Sequence, residues 1–241
     1  MRARARVVAE PDGRGGTRLA CMRSEAPLVL RSTPGALYLV GGAGGPLGGD
    51  DLLLEIVVGA GARLTVRTAA ASVALPGPGP SWARVRATVV AGGELQWLPE
   101  PLVAAQGSVH HMEATVVLDD GARLVWREEV ILGRHRETPG SVRSRVSVDH
   151  DGTALLRHEL GLGPAHPHAA SPAVAAGARA AGSVLLVGPG SSSWQPIVLG
   201  PTAAVLPLAR SGFQVVALAA DAPDLRRLLD EGMHAVTVAG V

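Results

Sequence analysis

Four segments of this chain share one pattern: an apolar strand, a tight glycine turn, and a second apolar strand. They are IVVGAGARLTV at 56–66, TVVAGGELQWL at 88–98, VVLDDGARLVW at 116–126 and VSVDHDGTALL at 146–156. Their alignment superposes Gly61, Gly93, Gly121 and Gly152, at intervals of 32, 28 and 31 residues. Asp120-Gly121 and Asp151-Gly152 accept positive φ and so favour hairpins. Alternation continues in RVRATVV at 84–90 and RSRVSVD at 143–149, as expected of strands with one buried face. Residues 1–160 therefore read as an array of repeated hairpins. A near-constant period suggests units that stack on one another, as in a β-helix or solenoid. A sandwich of similar hairpins satisfies the same pattern, and periodicity alone leaves both open.

The last third breaks the period. Residues 161–181 (GLGPAHPHAASPAVAAGARAA) predict a loop and then a short helix from about Ser171. SVLLVGPG at 183–190, PIVLG at 196–200, TAAVLPLA at 202–209 and FQVVALAA at 213–220 predict strands. Asp221 suits an N-cap, Pro223 a first helical turn and Gly232 a stop, with Leu225, Leu228 and Leu229 on one face. The resulting helix is expected to cover a sheet edge.

Several function classes are excluded by what the chain lacks. All 22 basic residues are Arg, so no lysine Schiff base, lysine general base or P-loop lysine is available. A net charge of +1 gives no general electrostatic reason to bind nucleic acid. Arg2, Arg4 and Arg6 alternate with apolar residues, which predicts a first strand with its polar face outward. The single cysteine, Cys21, cannot form an intrachain disulfide, which suits a reducing cytosol. It reads as a small buried side chain, with sulfur donation to a metal by Cys21 and Met22 as the sharper alternative. No signal-like segment and no run near the ~18 residues of a membrane span is seen. A cytoplasmic chain is the expectation.

The glycine cluster GGAGGPLGGDD at 41–51 could suggest a phosphate cradle. The next residues, LLLEIVV at 52–58, form a strand and not a helix, and the P-loop lysine is missing. The glycines read instead as a bend needing positive φ. It ends at Asp50 and Asp51, and Asp50 either caps the turn or lines a pocket that meets a cation or partner.

At this point the residues resemble the urease accessory protein family UreD, also called UreH. GGPLGGDDLLLEI is similar to the family's glycine segment before an apolar strand. GARLTVRTAAASV at 61–73, GELQWLPEPLVAAQGS at 93–108 and GARLVWREEVILGRHRETPGSVRSRVSV at 121–148 follow in the family's order. The chain departs from the pattern at Ala69 and Val73, and in the Glu137–Gly140 stretch after Gly133-Arg134. The resemblance implies a mainly β fold: one β-helix-like domain of stacked sheets over residues 1–241, with about two short α-helices, one near the C-terminus. It implies no catalysis and no permanently bound cofactor. It implies partners: urease apoprotein, a UreF-type helical accessory protein and a UreG-type GTPase. Together they deliver Ni²⁺ to urease, without nucleic acid or membrane. Gly48, Gly49, Asp50, Thr68, Pro99, Glu100, Pro101, Gly133 and Arg134 fall in the family-like segments as partner or channel candidates.

Metal ligands are weakly signalled. His166 and His168 could bind Ni²⁺ or sit in a plain polar loop. His110 and His111 are adjacent on a strand, so only one can face inward. A passage for Ni²⁺ would need polar walls, for which Asp50, Thr65, Thr68 and Glu128 are candidates. Oxygen ligands release Ni²⁺ more readily than a Cys/His cage. Pro99 and Pro101 block a strand, either as an edge break or as a shelf on which Glu100 projects to a partner. Arg134, Arg136, Arg143 and Arg145 form a basic ladder, either an exposed face or a surface for carboxylates. Ser191-Ser192-Ser193 reads as a loop without a nucleophile elbow. A mean hydropathy of +0.25 fits surfaces buried in a complex. A polysaccharide-acting β-helix enzyme would use the acidic pairs Asp50-Asp51 or Asp119-Asp120, but both lie at turns, and six aromatics offer few sugar platforms. A plain β-type binding module is the other alternative.

Overall fold

The computed structural model describes residues 1–188 and 195–238. The Ser191–Ser193 run, and the end of the strand predicted at 183–190, lie outside these residues. Fourteen strands precede the period break. They are β1 (Arg2–Pro11), β2 (Thr17–Arg23), β3 (Leu28–Ser32), β4 (Leu37–Gly41), β5 (Asp51–Val58), β6 (Arg63–Thr68) and β7 (Ser72–Ala74). Then come β8 (Ser81–Val89), β9 (Glu94–Leu98), β10 (Leu102–Ala104), β11 (Val109–Leu118), β12 (Arg123–Leu132), β13 (Ser141–His150) and β14 (Thr153–Leu162). After them come β15 (Ala180–Val187), β16 (Ile197–Gly200), β17 (Ala203–Pro207), β18 (Phe213–Ala219) and helix α1 (Ala222–Val238).

Three of the four predicted hairpins are not hairpins. β5, β8 and β11 lie in one sheet, ordered β14-β13-β11-β8-β5-β1-β2. Their partners β6, β9 and β12 lie in the facing sheet, ordered β16-β17-β18-β15-β12-β9-β6-β4-β3. Each glycine turn is a corner carrying the chain from one sheet to the other. Successive coils then stack in parallel, β5 on β8 on β11 on β13 and β4 on β6 on β9 on β12. The solenoid is therefore realised and the sandwich is not. The corners also stack: Glu94 N–H donates to Ala62 C=O at 2.9 Å, and Arg123 N–H to Gly93 C=O at 2.9 Å. The equivalent corner glycines are Gly61, Gly92 and Gly121, with φ of +73°, +72° and +72°. Gly93 is thus displaced by one from the position that alignment assigned. Asp151-Gly152 does form a hairpin, joining antiparallel β13 and β14 with both residues at positive φ.

Inward residues of both sheets form the main core, including Val7, Ile56, Val89, Leu95, Leu118, Leu124 and Trp126. Each large aliphatic side chain buried this way stabilises the fold by about 1.5–3 kcal/mol. Arg2, Arg4 and Arg6 stay exposed while Ala3, Ala5 and Val7 are buried, as their alternation predicts. Cys21 is half-buried on the outer strand β2, where a buried side chain was expected.

The C-terminal region departs from expectation in three ways. The helix predicted from Ser171 is a short 3-10 turn at Pro167–Ala170, so α1 is the one α-helix among the described residues. Pro167 and Pro172 each restrict the preceding residue and interrupt any longer helix. Asp221 caps α1 through a 3.0 Å bond from Asp224 N–H, as predicted. Gly232, however, does not stop the helix. It lies where a Cβ would sit 2.3 Å from Val215 Cγ1, so it allows close packing. α1 also covers a face of β15, β17 and β18 rather than an edge, burying Leu225 and Leu229 against Val184, Phe213 and Val215. The described helix is not long and apolar enough to cross a membrane.

Candidate functional site

The glycine bend between β4 and β5 packs against residues 76–80. At Gly48 a Cβ would lie 2.5 Å from Gly77 N and 2.6 Å from Gly79 O, so only hydrogen fits. Gly49 has φ of +92°. Gly48 and Gly49 N–H groups donate to Leu75 C=O and Pro80 C=O. These donors are spent within the chain, as a structural bend requires and a phosphate cradle does not. Asp50 closes the bend with 5 % exposure. Its carboxylate accepts from the Met1 amino group at 2.7 Å and from Leu47 N–H at 2.9 Å. Burial opposes its charge, but these two donors outweigh burial and hold the carboxyl below its ordinary range.

Three cavities follow one another through the space between the sheets. The first, of about 580 Å³, is lined by Gly45, Asp50, Thr68, Ser72 and Arg134 among others. The second, of about 150 Å³, shares Thr68, Ser72 and Pro46 with it and continues past Trp97, His110 and Trp126 to Glu128. The third, of about 410 Å³, begins at Glu128 and reaches Ser144, His158, Ser183 and Thr202. Asp50, Thr68, Arg134, Pro99, Glu100 and Glu128, scattered in sequence, thus border neighbouring cavities. Thr65 does not. It lies on the opposite face of β6 from buried Leu64 and Val66, with its Oγ1 3.4 Å from Gln96 Oε1.

The LPEP segment explains why a gap exists there. It is not an edge break. β9 ends at Leu98 and β10 begins at Leu102, and both pair with the long strand β12 inside the sheet. The neighbouring coil is interrupted at the same level, between β6 and β7. The prolines remove backbone donors, and Thr68 Oγ1 fills part of the gap by accepting from Glu100 N–H at 2.8 Å. Glu100 does not project freely. It accepts from Arg226 of α1 at 3.0 Å, and Arg226 also lies 3.6 Å from Glu129. Glu129 in turn holds Arg127, which reaches Asp230 at 2.8 Å.

Glu128 is buried and borders both the second and the third cavity. Its carboxyl accepts from Ser144 Oγ and from Trp126 Nε1, at 2.5 and 3.2 Å. Burial drives its pKa upward, against the pull of these two bonds. Strand parity lets only one of His110 and His111 face inward, which speaks against a joint metal site. His110 faces inward with 1 % exposure, and Ser81 Oγ lies 2.8 Å from its Nδ1. Burial, then neighbouring His111, lowers its pKa to about 4. His111 faces outward and stacks on Trp82 at 4.2 Å. Inside, Trp97 and Trp126 stack at 5.3 Å. Strand parity could have placed His110 in the interior, but not beside Ser81, which is 29 residues away.

The remaining candidates lie elsewhere. Arg134 pairs with Glu137 at 2.7 Å, and Gly133 at φ +77° makes that turn. Arg145 pairs with Glu159 at 2.6 Å, and Arg143 lies 3.8 Å from Glu159. This part of the basic ladder is answered within the chain. His166 rests over Gly161, where a Cβ would lie 2.5 Å from its Nδ1, and it borders a separate cavity with Pro139 and Arg179. His168 is exposed on the 3-10 turn. Among the described residues, no three His, Cys, Asp or Glu side chains come together to hold a metal ion.

Comparison with known proteins places this architecture. The family model for the UreD urease accessory protein matches residues 1–240. The chain is 49% identical to urease accessory protein UreD 3 of Streptomyces griseus, covering 97% of this chain and 96% of the relative. It is 46% identical to urease accessory protein UreD of Parafrankia sp., over 95% and 87% of the two chains. It is 45% identical to UreD of Streptomyces avermitilis, over 98% of each. The stacked coils, the structural glycine bend and a match along nearly the whole length agree: this chain belongs to the UreD family of urease accessory proteins.

Proposed function

We propose that this chain serves urease maturation as a non-catalytic scaffold in the cytoplasm, binding apo-urease together with a helical accessory partner and a GTPase, and passing Ni²⁺ through its interior. The observation that carries this reading is the run of three neighbouring cavities whose linings share Thr68 and then Glu128. Ni²⁺ is cargo here, not a resident cofactor. Sparse oxygen donors along the run, with no three-residue cage among the described residues, suit an ion that must leave again. The nucleotide chemistry would belong to the GTPase, in keeping with a chain that has no P-loop lysine.

The reading is tested in a strain lacking this chain. Urease protein should accumulate with little nickel and little activity, and complementation should restore both. Nickel-loaded, active urease in the deletion strain refutes the proposal. Glu128→Gln should lower nickel per urease while the chain still folds and still captures its partners.

A further inference from the structure

Two almost wholly buried side chains border the central cavity and keep a polar atom without a hydrogen-bond partner, Glu129 and His110. The Glu129 carboxylate is answered by Arg127 and Arg226, which leaves His110. Its Nε2 has no hydrogen-bond partner, and the ring is 1 % exposed. Nδ1 is tied to Ser81 Oγ at 2.8 Å, and Ser81 is itself fully buried on the adjacent parallel strand β8. The other histidines with an unpaired nitrogen differ. His111 faces outward against Trp82, and His150 borders none of the three cavities. An orphaned polar atom in a core is costly, because it has lost water and gained nothing. An aliphatic residue at this inward position, like Ala114 and Val116 further along β11, would avoid that cost. A histidine kept there calls for something that the folded chain alone does not supply.

We infer that His110 Nε2 is a transient ligand for a borderline divalent cation in the central cavity, oriented for that task by Ser81. With Nδ1–H donating to the Ser81 oxygen, Nε2 carries the free lone pair, and imidazole suits Ni²⁺ and its neighbours in softness. One nitrogen ligand, completed by water, binds loosely and releases readily. The inference rests on the passage reading above and deepens it by naming a nitrogen stop in the cavity that Thr68 and Glu128 also border.

The test uses the purified full chain and Ni²⁺ alone, with Co²⁺ as a second probe. Trp97 and Trp126 border the same cavity as His110. In a Trp82→Phe, Trp194→Phe background, the tryptophan emission therefore comes from the interior. Saturable quenching, reversed by a chelator, is expected. His110→Asn should weaken the apparent affinity by at least about tenfold, a change typical of a lost ligand or its support, and His111→Asn should leave it unchanged. Equal quenching with His110→Asn, or no quenching at all, overturns the inference. Should His110→Asn fail to fold, histidine-labelled protein decides instead. Substoichiometric Co²⁺ should broaden the His110 ring signals before those of the other histidines, and uniform broadening overturns the inference. This readout involves no urease. Normal nickel loading in the deletion strain sinks the passage reading, whereas unchanged quenching in His110→Asn sinks only the assignment to His110.

Discussion

The coils from β5 to β13 and the region from β14 to α1 use the same two-sheet frame but close it differently. In the coils, one turn type recurs, and every strand stacks in parallel on its predecessor. After Gly152 the repeat ends. β14, β15, β18, β17 and β16 then pair antiparallel. The coils hold the large shared core, whereas the terminal region has its own core beneath α1. The lesson is that a repeating turn fixes strand direction, and its loss frees the chain to pair antiparallel.

The sharpest way to break this comparison is to truncate one core at a time. Trp126→Ala should cost about 3–5 kcal/mol and lower the stability of the whole molecule, because Trp126 packs between the stacked coils. Leu225→Ala should cost about 2–5 kcal/mol, but chiefly to α1 and the strands beneath it. Hydrogen exchange would separate them. Accelerated exchange in β8 and β11 of the Leu225 variant would mean that the two cores are one cooperative unit.

A smaller contrast comes from two glycines. Gly48→Ala drives a methyl into the backbone of Gly77 and Gly79 and should cost about 3 kcal/mol, the upper end for overpacking. Gly232→Ala meets mainly Val215 and Leu199 side chains, which can move, and should cost about 1 kcal/mol. Denaturant midpoints compare them, and equal losses would refute the distinction between backbone and side-chain obstacles.

pH gives effects of opposite sign at the two buried groups. Glu128 has a folded-state pKa above 4.5, so its contribution is whole below 4.5 and is lost as pH rises through the folded value. His110 is depressed from 6.5 to about 4, so its contribution is whole above 6.5 and is lost as pH falls toward 4. Glu128→Gln should therefore gain on the parent as pH rises above 4.5, and His110→Asn should gain on it as pH falls from 6.5 to 4. Unfolding midpoints across that range check both signs. The smallest effect belongs to the Arg134–Glu137 pair, whose arginine is exposed. Glu137 is held at about 2 by its bonds to Arg134, so its contribution is present above 4.5 and fades only as pH falls through about 2. Glu137→Gln should leave the thermal midpoint at neutral pH nearly unchanged, and raising salt should not alter that result. A large drop would give this loop a structural weight that its exposure does not suggest.

Much of the frame was legible in the residues. The glycine period, the Arg2–Arg6 alternation, the Asp221 cap and the structural role of Gly48 and Gly49 are local properties of backbone and strand parity, which neighbours in sequence suffice to set. The candidate site was legible only in part. The segments holding Asp50, Thr68, Pro99, Glu100 and Arg134 were found, but Thr65 was placed on the wrong face, Glu100 was thought free, and His110 was given no task. Gly232 was read as a stop because its partner, Val215, is distant in the chain.

The sequence by itself determined that the chain is mostly strand, that its turns recur, and that no lysine or disulfide chemistry is available. Tertiary structure alone decided that those turns are corners between sheets rather than hairpins. It also decided that Ser81 meets His110, that Ser144 meets Glu128, and that three cavities lie side by side. A turn's φ is set by the two or three residues within it. Which strand lies alongside, and what faces a buried ring across it, depends on stacking coils some thirty residues apart, and no local preference records that distance.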